Sequence, residues 1–265
     1  MTVAEALALA AAGVAAGVIS TVVGLASVVS YPALLAIGLP PLAANMTNTV
    51  ALLFTGVGAA AGSRPELAGQ ATRVRHLGTI AALGGGAGAA LLLVTPPQTF
   101  VRVAPVLIGA ASLALLAPSR QDRAPGHGTS PGHEGRRRGT GPGHEGRRRW
   151  LLAGVLGVAV YIGYFGAAGG IVMLALLIAM VAEPLARVNA VKNMLGAVAN
   201  TVAAVAFAVF GHVDWAAVVP LAAGFLIGGW TGPALVRRIP GQVLRIGVAG
   251  CGLLVAVRLG ISAYR

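Results

Sequence analysis

Residues 150–180 read WLLAGVLGVAVYIGYFGAAGGIVMLALLIAM, with no charged side chain from Trp150 to Met180 and with Gly166, Gly169 and Gly170 breaking the run. A bilayer core is crossed by about 20 apolar residues, so this block is too long for one crossing and too apolar for a soluble surface. Working outward, the pattern repeats. Val3 to about Leu39 is a second over-long block, broken around Gly24 to Pro32. Asn45–Gly62, Leu77–Val94, Phe100–Ala117, Asn189–Phe210, Trp215–Val236 and Val243–Leu259 are shorter apolar segments. Outer-membrane barrels show short alternating strands instead. The reading is an all-α polytopic membrane protein.

Composition agrees. Of 265 residues, 57% are hydrophobic and 10% charged, against about 25% charged in a typical soluble domain. The net charge of +12 could suggest nucleic acid, but its placement argues otherwise. Arg120 to Arg149 holds eight of the nineteen Lys and Arg, and no aromatic residue interleaves with them, so a base-stacking surface is unsupported. Basic residues between apolar blocks are the usual cytoplasmic anchors. Cys251 stands alone in an apolar run, which excludes an intramolecular disulfide and a cysteine metal site. The N-terminus lacks a basic n-region and reads as a retained first helix rather than a cleaved signal.

Residues 118–149 form a linker. Within it, GTSPGHEGRRR (128–138) is followed by GTGPGHEGRRR (139–149). Gly, Pro and Arg at this density cannot bury a core, so the expectation is disorder. The linker separates an N-terminal membrane repeat, 1–117, from a C-terminal one, 150–265. Each half opens with a broken block followed by Pro-Leu-Ala, at Pro41-Leu42-Ala43 and Pro184-Leu185-Ala186. Gly84 and Gly88 align with Gly224 and Gly228. This is a tandem duplication of four to five helical segments. Positive charge swaps loops between the halves: Arg64, Arg73 and Arg75 after the second segment of one, Arg237 and Arg238 after the third of the other. The positive-inside rule then predicts inverted halves. Two crossings in each opening block, with the linker inside, leave only Arg102, Arg258 and Arg265 outside; a re-entrant first segment stays open.

Broken backbone inside a bilayer is tolerated where it lines protein or a wet cavity. Helix N-termini starting at the breaks would offer N–H groups to an anion, while the same glycines could serve only close helix packing. Candidate substrate contacts are therefore Gly24 and Ser27 at the first break and Gly166, Gly169 and Gly170 at the second. Asn48 and Thr49 follow in one half, Asn189, Lys192 and Asn193 in the other. Asn189 and Asn193 share a helix face with Lys192 nearby. Lys192 either snorkels to the interface or faces an anionic substrate. The seven Asp and Glu all lie in loops, in the linker or near block ends. Cation and proton carriers usually place carboxylates mid-span, so an anionic or neutral substrate is favoured. No catalytic motif appears, and neither an enzyme, a cofactor nor a metal is expected.

Stretches in both halves carry a family resemblance. In the second half these are Gly163-Tyr-Phe-Gly166-Ala-Ala-Gly169-Gly170, Arg187-Val-Asn189-Ala-Val-Lys192-Asn193, Gly211-His-Val-Asp214-Trp215 and Arg237-Arg238-Ile239-Pro240. In the first half they are Gly38-Leu39-Pro40-Pro41 and Thr49 to Thr55. The chain resembles the TauE/SafE family of sulfite exporter-like permeases. That resemblance implies secondary transport of small anions such as sulfite or a sulfonate. One departure is that the first break keeps only Gly24, with Ser27 and Ser30 nearby, where the family is usually glycine-rich. The expected setting is a multi-pass inner (plasma) membrane protein with a cytoplasmic linker, partnered by the bilayer and a small anion, with self-association left open. The alternatives are a carrier of a neutral solute or metal, or a non-transporting scaffold docking through its linker.

Overall fold

The computed structural model describes residues 1–22, 24–103, 106, 142–166, 169–181 and 183–236, with the isolated residues 253, 257 and 261. The linker up to residue 141, most of the expected segment Phe100–Ala117, the loop Arg237–Gly241, nearly all of the closing segment Val243–Leu259, and Cys251 lie outside the described residues. Within them the chain is helical and carries no strand.

Helix α1 spans Val3–Val22 and α2 spans Ser27–Ala36. Next come α3 (Pro41–Gly62), a single turn α4 (Arg64–Leu67) and α5 (Ala71–Val94). The second half supplies α6 (Pro142–Tyr164), α7 (Gly169–Met180), α8 (Leu185–Phe210) and α9 (Trp215–Val236). Both Pro-Leu-Ala triplets are helix starts. Pro41 occupies the first turn of α3 and Pro184 caps α8, where a missing N–H and a fixed φ cost nothing. These two helices thus begin one turn before Asn45 and Asn189. Helix α5 also starts earlier than Leu77, taking in Arg73, Arg75 and His76, because basic side chains at a span end can reach water. Helix α6 takes in Pro142–Arg149, ahead of the apolar run.

Helices α1, α3, α5, α8 and α9 (to Ala234) are long and apolar enough to cross a bilayer. Helices α2, α7 and the apolar part of α6, Arg149–Tyr164, are shorter. Each opening block is therefore a helix, a glycine break and a short helix, as expected for broken first segments. Gly24 (φ 86°) and Gly166 (φ 73°) adopt left-handed backbone, open to glycine without a Cβ penalty. Each donates its N–H to the carbonyl five residues back, Ile19 at 3.1 Å and Tyr161 at 3.0 Å. Leu83, Val57, Trp230 and Phe210 are exposed, the apolar belt a chain needs toward lipid.

Packing crosses between the halves. Gly13 of α1 faces Leu221 and Gly224 of α9, and Gly17 faces Gly228. A Cβ on Gly13 would fall 2.5 Å from the Leu221 carbonyl oxygen, and one on Gly17 would fall 3.0 Å from Gly228 Cα. Residue numbers rise together on both, so α1 and α9 run in the same direction. Two glycines four apart on each helix let backbones approach closely. Gly84 and Gly88 of α5 meet α6 in the same way, at Leu156–Ala159 and at Val160–Tyr164, again running in parallel. Tyr31 stacks edge-on against Phe165 at 5.6 Å, and Phe165 against Phe100 at 5.7 Å, which locks α2 to the second break.

Candidate functional site

The end of α1 leaves carbonyl groups without intrahelical partners. Helix α8 supplies the donors. Asn189 Nδ2 donates to the Thr21 carbonyl at 2.9 Å, and Asn193 Nδ2 to the same oxygen at 3.3 Å. Lys192 Nζ donates to the Ser20 carbonyl at 3.4 Å. A cation at a helix C-terminus also suits the helix dipole. The other half mirrors this: Asn45 Nδ2 of α3 donates to the Tyr164 carbonyl, at the end of α6, at 3.0 Å. Each half thus caps the broken helix of the other.

The two breaks meet. Gly24 and Gly170 face each other so closely that a Cβ on either would lie 2.6 Å from the other's Cα. Between the breaks, α3 and α8 enclose a cavity of about 70 Å³. One buried water needs about 10–15 Å³, so there is room for a group of several water-sized atoms. Ser20, Thr21, Gly24 and Ser27 line it from the first break, and Phe165, Gly166 and Gly170 from the second. Helix α3 contributes Thr49 and Thr55; α8 contributes Lys192, Asn193 and Asn200.

Of the expected contacts, Gly24, Ser27, Thr49, Gly166, Gly170, Lys192 and Asn193 line this one cavity. Asn48, Asn189 and Gly169 stand behind its wall. Asn48 Nδ2 donates to Ser27 Oγ at 3.2 Å, Asn189 holds Thr21, and Gly169 opens α7 against Ile162. The sequence reading missed Thr55 and Asn200, although each lies seven residues, two turns, beyond a chosen residue, Asn48 and Asn193. It also missed Ser20 and Thr21, which contribute carbonyls.

Lys192 is 3% exposed, and among the described residues it is the buried side chain that carries a charge. The described ion pairs, Arg73–Glu183 and Arg187–Glu183, do not involve it. No carboxylate lines the cavity. Removing an ammonium from water without a counter-charge is costly, and no described carboxylate offsets Lys192. The Thr55 hydroxyl, 5% exposed, lines the cavity and has no protein partner, which leaves a polar group to orient or hydrate an occupant. Among the described residues, no three His, Cys, Asp or Glu side chains cluster to hold a metal.

The profile of the family described as Sulfite exporter TauE/SafE matches residues 9–259. Neither the curated proteins nor the solved structures give a match.

Proposed function

The chain belongs to the sulfite exporter TauE/SafE family, and on that footing we propose that it is a secondary permease for a small sulfur oxyanion, sulfite or a compact sulfonate. The observation carrying this reading is Lys192: a buried side chain, cationic when protonated, facing a small polar cavity with no carboxylate to neutralise it. A neutral solute would leave that charge uncompensated, and a metal cation would be repelled by it. The cavity volume favours an anion of a few heavy atoms.

The chain directions support inverted halves. Helix α3 runs with α9, since Gly58 faces Leu226–Trp230 and Gly62 faces Trp230–Pro233; α1 also runs with α9. Helix α5 returns through a short corner, and α6 runs with α5. The corresponding opening helices α1 and α6 are thus opposed. The cavity lies between them, at the place where inverted-repeat carriers bind and rock. Arg64, Arg73, Arg75 and Arg187 fall on one face; by the positive-inside rule this face is the cytoplasmic one.

The test is flux in proteoliposomes across sulfite, sulfate, thiosulfate and sulfonates. Wild-type protein should move at least one of them, and Lys192→Ala should abolish it. Normal flux by Lys192→Ala overturns the assignment. Deleting residues 118–141 should leave flux intact; a scaffold docking through that linker would instead lose its partner.

A further inference from the structure

The basic face holds a second charged cluster that the cavity does not use. Arg73, from the start of α5, and Arg187, from the start of α8, belong to opposite halves. Between them stands Glu183. Its Oε2 accepts from Arg187 Nη1 at 2.9 Å, and its Oε1 lies 3.5 Å from Arg73 Nη1. The three side chains are 36%, 32% and 23% exposed for Arg187, Arg73 and Glu183. They line an open surface pocket together with Gln70, Thr72 and His76.

Two features set this cluster apart from a simple strut. First, Arg187 is held independently of Glu183: Nη2 donates to the Ala68 carbonyl at 2.6 Å, and Nε to the Glu66 carbonyl at 3.5 Å. Arg73 likewise bonds Gln70 Oε1. Both guanidinium groups therefore stay in place if the carboxylate leaves. Second, Arg187 precedes Lys192 by five residues on α8, a rise of roughly 7.5 Å. One helix thus carries both the surface cation and the cavity cation. A guanidinium pair recognises any small oxyanion by the same charge-assisted bonds it makes to carboxylate, and an ion pair at this exposure is weak enough to be exchanged.

We propose that the pocket between Arg73 and Arg187 is a loading site for the small oxyanion, filled at rest by the Glu183 carboxylate, which the anion displaces before moving inward to Lys192. The inference rests on the anion-permease reading. Two experiments on full-length protein separate them. In proteoliposomes, sulfate or a sulfonate is offered from the Arg73 face, and uptake is measured against concentration. Glu183→Gln keeps the shape and removes the charge, and it should lower KM about fivefold, the effect of one unit charge about 4 Å away in a water-like dielectric. Arg73→Gln should raise KM, and the double variant should follow Arg73→Gln. An unchanged or raised KM in folded Glu183→Gln overturns the loading site while leaving transport standing. In detergent, a sulfate thermal-shift titration of Lys192→Met isolates the surface pocket. There Glu183→Gln should tighten binding and Arg73→Gln weaken it. If that pattern holds while wild-type protein moves no anion, the loading site stands and the permease reading falls. If sulfate gives no shift with Lys192→Met, the loading site is overturned.

Discussion

Gly24 and Gly170 touch backbone to backbone, so the two discontinuities of the chain, far apart in sequence, form one wall of one cavity. Any side chain between them would push the opening helices of both halves apart.

This contact gives a controlled experiment. Gly24 and Gly38 both hold left-handed backbone, φ 86° and 92°, but nothing lies within 4 Å of a Cβ at Gly38. Gly38→Ala should cost only the conformational strain, about 1–2 kcal/mol. Gly24→Ala should add an overpacking term of about 1–3 kcal/mol and abolish flux. Melting temperatures and flux of the two variants, measured together, check this; equal losses would sink the idea.

Lys192 sets stability against function. A buried charge without a partner carries a desolvation penalty that an apolar group of similar volume does not. Lys192→Met should therefore melt higher than wild type in anion-free detergent while its flux collapses. A lower melting temperature with retained flux would contradict the assignment.

The Asn189–Asn193 pair makes a prediction about coupling. Both amides serve the Thr21 carbonyl, so either alone satisfies it. Each single Ala variant should lose about 1 kcal/mol, the net worth of one hydrogen bond. The double variant should lose more than the sum, because an orphaned buried carbonyl costs about 1–3 kcal/mol. Asn45→Ala removes the described side-chain donor to Tyr164 and should resemble the double variant. A double-mutant cycle with strictly additive losses would refute shared capping.

Glu183 supplies a pH dependence. Burial pushes its carboxyl pKa up, but the Gln70 hydrogen bond and the charges of Arg187 and Arg73 outweigh it and hold the pKa below the usual range. A depressed carboxylate contributes stability that is present above its unfolded pKa and lost as pH falls through the folded one. The difference in melting temperature between wild type and Glu183→Gln should thus be largest at neutral pH and vanish in acid. A difference that grows as pH falls would reverse the sign.

Much of the site was legible because its signals are rare in their surroundings. A lysine or a glycine pair in a long apolar run has few neighbours to hide among, so Lys192, Gly166 and Gly170 stood out, and the broken opening blocks followed from length alone. What the sequence could not carry was partnership. Asn189 finds its acceptor 168 residues away, and nothing in a residue's own helix names such a partner. The helix exchange of α1 with α9 and α6 with α5 was hidden for the same reason, although the glycine spacing marked the faces involved. Glu183 was passed over as a block-end residue, since its meaning depends on Arg73 arriving from the other half.

The parallel seam between α1 and α9 also has a consequence in time. Gly13 leaves the ribosome long before Gly224, and at about 5–20 residues per second the delay is roughly 10–40 s. For that interval the glycine face of the first helix has no protein to close against. The newborn chain must be sheltered by lipid or by the insertion machinery until α9 arrives, so α9 truncations should be met by quality-control proteases rather than accumulate as half-carriers.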